Sequence, residues 1–110
     1  MEPFFTCRED GPVTIVCFLV ESLMNAQELE RIGQNLDGLI QNEQCKHLVL
    51  DMAKVQYLSS QALGIILSLD QKLRKSKRKL ELHGVRPQLM ELLKITRLDR
   101  RLAVVAAPAG

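Results

Sequence analysis

Helix-type and strand-type segments alternate along the whole of this 110-residue chain, and that alternation most constrains what it can fold into. Val13-Thr14-Ile15-Val16-Cys17-Phe18-Leu19-Val20 is β-branched and almost continuously apolar, which predicts a strand. It follows Phe4-Phe5-Thr6-Cys7-Arg8 across Glu9-Asp10-Gly11-Pro12, a turn signal with Asp-Gly at its centre, so the two predict a hairpin. The weak alternation of the second segment predicts a strand covered on both faces. Leu29, Ile32, Leu36, Leu39 and Ile40 then recur at helical spacing and define an amphipathic helix over roughly 25–42. Asn25 is its expected N-cap, and Glu28 stands where a capping-box carboxylate belongs.

The pattern continues with His47-Leu48-Val49-Leu50-Asp51-Met52, a short apolar strand. Ala62-Leu63-Gly64-Ile65-Ile66-Leu67-Ser68-Leu69 is apolar almost all round, so it predicts a helix buried at its start that becomes polar from Asp70 and ends near Ser76. Lys79 to Val85 alternates as a half-exposed strand does. Arg86-Pro87 opens a third helix, because proline suits the first helical position. That helix runs to about 94–97 with Leu89, Met90, Leu92 and Leu93 inward. Leu102 to Ala107 is a last strand, and Pro108-Ala109-Gly110 a tail. The order β-β-α-β-α-β-α-β implies one α/β domain with a mostly parallel sheet and an antiparallel hairpin at its edge.

Composition narrows the class. Apolar residues make up 46% and charged residues 25%, ordinary values for a globular protein. The apolar runs are too short for a membrane helix. The start, Met1-Glu2-Pro3-Phe4-Phe5, lacks the basic lead of a secretory signal. Cys7, Cys17 and Cys45 form no metal or disulfide spacing, which predicts three reduced thiols in a cytoplasmic protein, with Cys17 a small core residue. Residues 1–55 carry 4 basic and 9 acidic side chains, and residues 56–110 carry 11 basic and 4 acidic. The chain is charge-polarised along its length, unless folding mixes the halves.

No glycine-rich phosphate loop and no nucleophile elbow is present. His47 and His83 read as surface or edge histidines rather than bases, so the chain is read as a non-enzyme without metal or cofactor. Lys72, Arg74, Lys75, Lys77, Arg78 and Lys79 read as the solvated end of a helix, where cations complement the dipole. Nucleic acid is disfavoured, because no aromatic residue is interleaved among them to stack bases. Ser59-Ser60 is the most informative pair. One hydroxyl is expected to cap the apolar helix that follows. A phosphate there adds nearly two negative charges where the helix N-terminus tolerates them, and changes what docks without breaking the fold.

Val49-Leu50-Asp51-Met52 together with Val55-Gln56-Tyr57-Leu58-Ser59-Ser60-Gln61-Ala62-Leu63-Gly64-Ile65-Ile66-Leu67 resembles the signature of STAS domains, in particular of the anti-sigma factor antagonists. Val85 to Leu93 and Ile95-Thr96-Arg97-Leu98 resemble the family's third helix and the turn after it, so the likeness spans about 3–107. It implies a single STAS-like domain acting as a non-enzymatic binding module in a partner-switching system that controls transcription. The implied partner is an anti-sigma factor that is also a serine-protein kinase, with no obligate small-molecule ligand. The match puts the phosphoacceptor at Ser60, with Ser59 as the alternative, and partner binding at Tyr57, Leu58, Ser59, Ser60, Gln61 and Gly64. The docking surface is expected to include the 56–64 loop and the exposed side of the 60–76 helix. The family's aspartate before the serine is Ser59 here, its second hydroxyl is Gln61 and its first glycine is Ala62. These departures keep an unphosphorylated STAS scaffold, in a stress-signalling or membrane-transport assembly, as the alternative. Monomer and weak dimer both stay open.

Overall fold

The computed structural model of the chain describes residues 4–106. The readings made at Met1-Glu2-Pro3, at Ala107 and on the tail from Pro108 lie outside them. Strands β1 (Phe5–Asp10) and β2 (Val13–Phe18) form the expected hairpin, with Asp10 opposite Val13. Glu9 and Asp10 extend β1, so the loop is only Gly11-Pro12. Gly11 takes φ 62°, a positive angle that glycine adopts without a Cβ clash.

Next come β3 (Ser22–Leu23), α1 (Ala26–Ile40), β4 (His47–Asp51), β5 (Tyr57–Leu58) and α2 (Ser60–Lys75). After them stand β6 (Lys79–Val85), α3 (Pro87–Ile95), a 3-10 turn at Leu98–Arg100 and β7 (Ala103–Ala106). The main sheet has the order β1-β2-β4-β6-β7. Only β1 is antiparallel; β2, β4, β6 and β7 are parallel neighbours. Each helical crossover adds its next strand on the same side. Connections of one hand therefore lay all three helices on one face.

That face is the core. Val16 of β2 stands opposite Leu50 of β4, which stands opposite Leu82 of β6. Leu36 of α1, Leu69 and Leu73 of α2 and Leu93 of α3 join them in one buried cluster. The capping of α1 is as expected, with Glu28 N–H donating to the Asn25 side chain at 3.0 Å. At its other end the Arg78 guanidinium donates to the carbonyls of Ile40 and Cys45, at 2.8 and 3.0 Å. A cation there satisfies carbonyls that a helix end otherwise leaves orphaned.

The opposite face corrects two expectations. β2 is not covered on both sides: Thr14, Val16 and Phe18 are buried, whereas Val13, Ile15 and Cys17 are half-buried on a face that carries no helix. Its apolar runs reflect a sheet face sealed only by neighbouring side chains. Cys17 is therefore not a core residue, and Cys45 is the buried thiol. His47 and His83, expected at the surface or an edge, are half-buried surface histidines on the interior strands β4 and β6. Both face Glu81, at 3.4 and 2.7 Å from its carboxylate oxygens.

The sheet order also keeps the two halves of the sequence apart. β1, β2, α1 and β4 come from the acidic half, and α2, β6, α3 and β7 from the basic half. The charge asymmetry of the sequence thus survives as an acidic and a basic flank.

Candidate functional site

The segment ahead of α2 is fixed by a contact that sequence periodicity does not reveal. β3 and β5 form a separate two-stranded parallel pair, Ser22 opposite Tyr57 and Leu23 opposite Leu58. Gln56 N–H and Tyr57 N–H both donate to the Glu21 carbonyl, and Ser59 N–H donates to the Leu23 carbonyl at 3.1 Å. Val55 is fully buried beneath this loop. The chain therefore reaches α2 along a defined path, and the serines have defined directions.

Ser59 is the N-cap. Its backbone is extended, and its hydroxyl oxygen accepts from the Ala62 N–H at 3.1 Å. Such a side chain satisfies one of the four N–H groups a helix start leaves unpaired. Ser59 is half-buried, whereas Ser60 is the first residue of α2 and is exposed. The two hydroxyls divide the work: one closes the helix and the other faces solvent beside the positive end of its dipole.

The other expected residues lie around them. Ala62 and Leu63 turn into the core, but Gly64, one turn after Ser60, is exposed, and apart from its chain neighbours and the backbone of its own helix no heavy atom lies within 4 Å of where a Cβ would stand. Gln61 donates from its amide to the Ala26 carbonyl at 3.3 Å, tying the start of α2 to the start of α1. Tyr57 is 56% exposed and Leu58 half-buried.

Tyr57 and Leu58 also line a groove of about 430 Å³ with Met24, Gln56, Gln88, Leu89 and Leu92. Met24, 53% exposed, and α3 are parts of this end that sequence reasoning missed. Gln88 ties α3 to this loop by donating to the Gln56 carbonyl at 3.2 Å. Met24 follows β3, too short a strand to leave a periodic signal.

No charged residue occurs from Val55 to Leu69. The segment itself is uncharged, carries hydroxyl and amide groups and includes the exposed Tyr57, while the exposed Glu21 and Glu28 stand on neighbouring parts of the chain, just before β3 and on α1, so an added phosphoryl group brings a large new charge to the start of α2. Among the described residues, no group of three His, Cys, Asp or Glu side chains is placed to hold a metal. His47, Glu81 and His83 form a close histidine–carboxylate cluster on the open sheet face. There the hydrogen bond to His83 is the largest influence on Glu81 and lowers its carboxyl pKa, with the charges of both histidines adding to the effect against burial.

Lys72, Arg74, Lys75, Lys77 and Lys79 are exposed, as expected, but Arg78 is half-buried. Lys72 pairs with Asp37 at 2.8 Å, and Arg74 pairs with the buried Asp70 at 2.9 Å. Arg78 is spent on the end of α1.

Comparison with known proteins adds the lineage. The family model of the STAS domain matches residues 8–107. A comparison of the sequence with curated proteins gives no match. An anti-sigma-factor antagonist (STAS) domain protein from Planctomyces limnophilus superposes with a TM-score of 0.81 at 18% identity, covering 94% of this chain and 89% of that one. The Bacillus anti-sigma factor antagonist SpoIIAA, in its phosphorylated form, gives 0.71 at 13% identity, covering 91% and 89%. The murine anion transporter Slc26a9 gives 0.68 at 17% identity, covering 92% of this chain and 17% of the transporter. At such identities the likeness is one of fold.

Proposed function

The chain belongs to the STAS domain family, and on that premise we propose that it is a non-enzymatic, cytoplasmic binding module: an anti-sigma factor antagonist that docks an anti-sigma factor through the start of α2. The observation that carries this reading is the exposed Ser60 at a helix N-terminus, on a segment that has no charged residue of its own. Unphosphorylated, that surface offers Tyr57, Leu58, Ser59, Ser60, Gln61 and Gly64 to a partner. Phosphorylated at Ser60 by a partner with serine-kinase activity, it presents nearly two negative charges that the helix end stabilises and that an apposed surface must desolvate. The fold survives the modification and the complex does not. Ser59 is the lesser candidate acceptor, because phosphorylating it removes the cap of α2.

Gly64 fits the same reading. Glycine inside a helix costs about 1 kcal/mol relative to alanine. The space above Gly64 is open, so nothing within the domain requires it. A partner backbone that approaches closely there supplies the requirement. The test is phosphopeptide mapping of the protein isolated from its native cells. A phosphoryl group on Ser60 supports the switch. Its absence under every growth condition, with partner binding retained, rejects the switch and leaves the docking role.

A second reading is an unphosphorylated STAS scaffold. It is favoured by Ser59, Gln61 and Ala62 in place of the usual aspartate, hydroxyl and glycine, and by the likeness to a domain of an anion transporter. In that case Ser60→Asp and wild type retain different partners from those of a sigma-factor circuit.

A further inference from the structure

The end of the domain formed by α3 and the turn after it carries a combination that neither the core nor the docking surface explains. Ile95, the last residue of α3, is 77% exposed. Around it in sequence stand Lys94, Arg97, Arg100 and Arg101, all exposed. Arg97 has φ 62°, a left-handed backbone that a residue with a Cβ rarely adopts. Leu98 and Leu102 pack inward and fix the segment, and the Arg74 guanidinium donates to the Arg101 carbonyl. The side chains of Lys94, Arg97, Arg100 and Arg101 make no hydrogen bond or ion pair within the described residues. The acids on this stretch are Glu91 and Asp99. The helix dipole accounts for Lys94 in the last turn, but the three arginines lie beyond the helix end.

We propose that this end is a peripheral membrane-binding surface, with Ile95 entering the interfacial layer of a bilayer while Lys94, Arg97, Arg100 and Arg101 engage anionic lipid headgroups. An exposed aliphatic side chain gains by leaving water for the headgroup–acyl boundary, and each basic residue near an anionic leaflet adds about 1 kcal/mol. Charge complementarity selects anionic lipid over neutral lipid. The apolar tip selects a bilayer over nucleic acid, because residues 87–106 hold no aromatic ring to stack a base and a duplex offers Ile95 nothing. The patch lies beyond the C-terminal end of α3, and the serines at the N-terminal end of α2. Both faces can therefore be occupied at once.

The test is co-sedimentation of the full chain with vesicles of phosphatidylcholine alone and of phosphatidylcholine mixed with phosphatidylglycerol. Binding to the mixed vesicles only, weakening as salt is raised, is expected. The triple variant Arg97→Asn, Arg100→Gln, Arg101→Gln should lose about a hundredfold in affinity, at roughly fivefold per cation. Asparagine tolerates the left-handed backbone, so the variant keeps its fold. Ile95→Ser should lose about tenfold with the charge unchanged. Arg8→Gln, on the far edge strand, should bind as wild type. No sedimentation with anionic vesicles at low salt overturns the proposal. So does equal weakening by Arg8→Gln, which indicates net-charge attraction, and so does duplex DNA binding that Ile95→Ser leaves intact while vesicles are not bound.

Discussion

The two ends of α2 face opposite tasks. Its first turn holds Ser59, Ser60, Gln61 and Gly64, and carries no charge. Its last turn holds Lys72, Arg74 and Lys75. Between them Leu63, Ile66, Leu69 and Leu73 tie both ends to one core. A helix dipole stabilises an anion at the first end and cations at the second. The cationic end is satisfied as it stands, by Asp37, Asp70 and the dipole. The uncharged end has open electrostatic capacity. A reversible anion therefore changes more at the start of α2 than a reversible cation does at its finish.

The largest effect comes from breaking what the two ends share. Leu69→Ala empties a fully buried position in the middle of α2 and should cost about 2–5 kcal/mol in denaturant titration. Both ends then fail together, in stability and in partner binding. Separating the two serines is the sharper step. Ser59→Ala should lose about 1 kcal/mol with the cap, whereas Ser60→Ala should stay within about 0.5 kcal/mol of wild type and lose only the modification. If both serines cost the same in denaturation, the division of roles between them is wrong.

Gly64→Ala separates folding from docking. Thermal melts should show it more stable by about 0.5–1 kcal/mol, and partner capture should fall. A variant that is more stable and binds undiminished removes the functional reason for the glycine. The smallest effect lies on the open sheet face, away from either end. Glu81 is held below its ordinary carboxylate range when folded, chiefly by the His83 hydrogen bond. Its contribution is present above the unfolded glutamate value of about 4.3 and is lost as pH falls through the lower folded value. Wild type should therefore lose slightly more stability than Glu81→Gln between about pH 5.5 and about pH 3 in melts of the two proteins.

The elements with strong periodicity were legible in the sequence. The stripe from Leu29 to Ile40, the hairpin around Gly11 and the helix opened by Pro87 all stand where their spacing and caps put them. What was not legible depended on distant neighbours. β3 and β5 are two residues each, and only their mutual pairing makes them strands. The reading of β2 failed because half-buried Val13, Ile15 and Cys17 have the same apolar character as core residues. Sequence does not reveal that every crossover lies on the other face. The Ser59 cap was expected from the apolar run behind it, but the choice of which serine caps and which faces solvent needed the backbone path fixed by Leu23. Met24 and Gln88 joined the groove through the same long-range pairing.

The most direct test of the central claim uses the partner itself. Protein retained from native lysate on the immobilised wild-type chain is identified, purified and titrated against wild type, Ser60→Ala and Ser60→Asp. The account predicts that wild type and Ser60→Ala bind alike, and that Ser60→Asp weakens binding at least tenfold without loss of thermal stability. Equal binding by all three would contradict it, because charge at the start of α2 would then have no say in who docks.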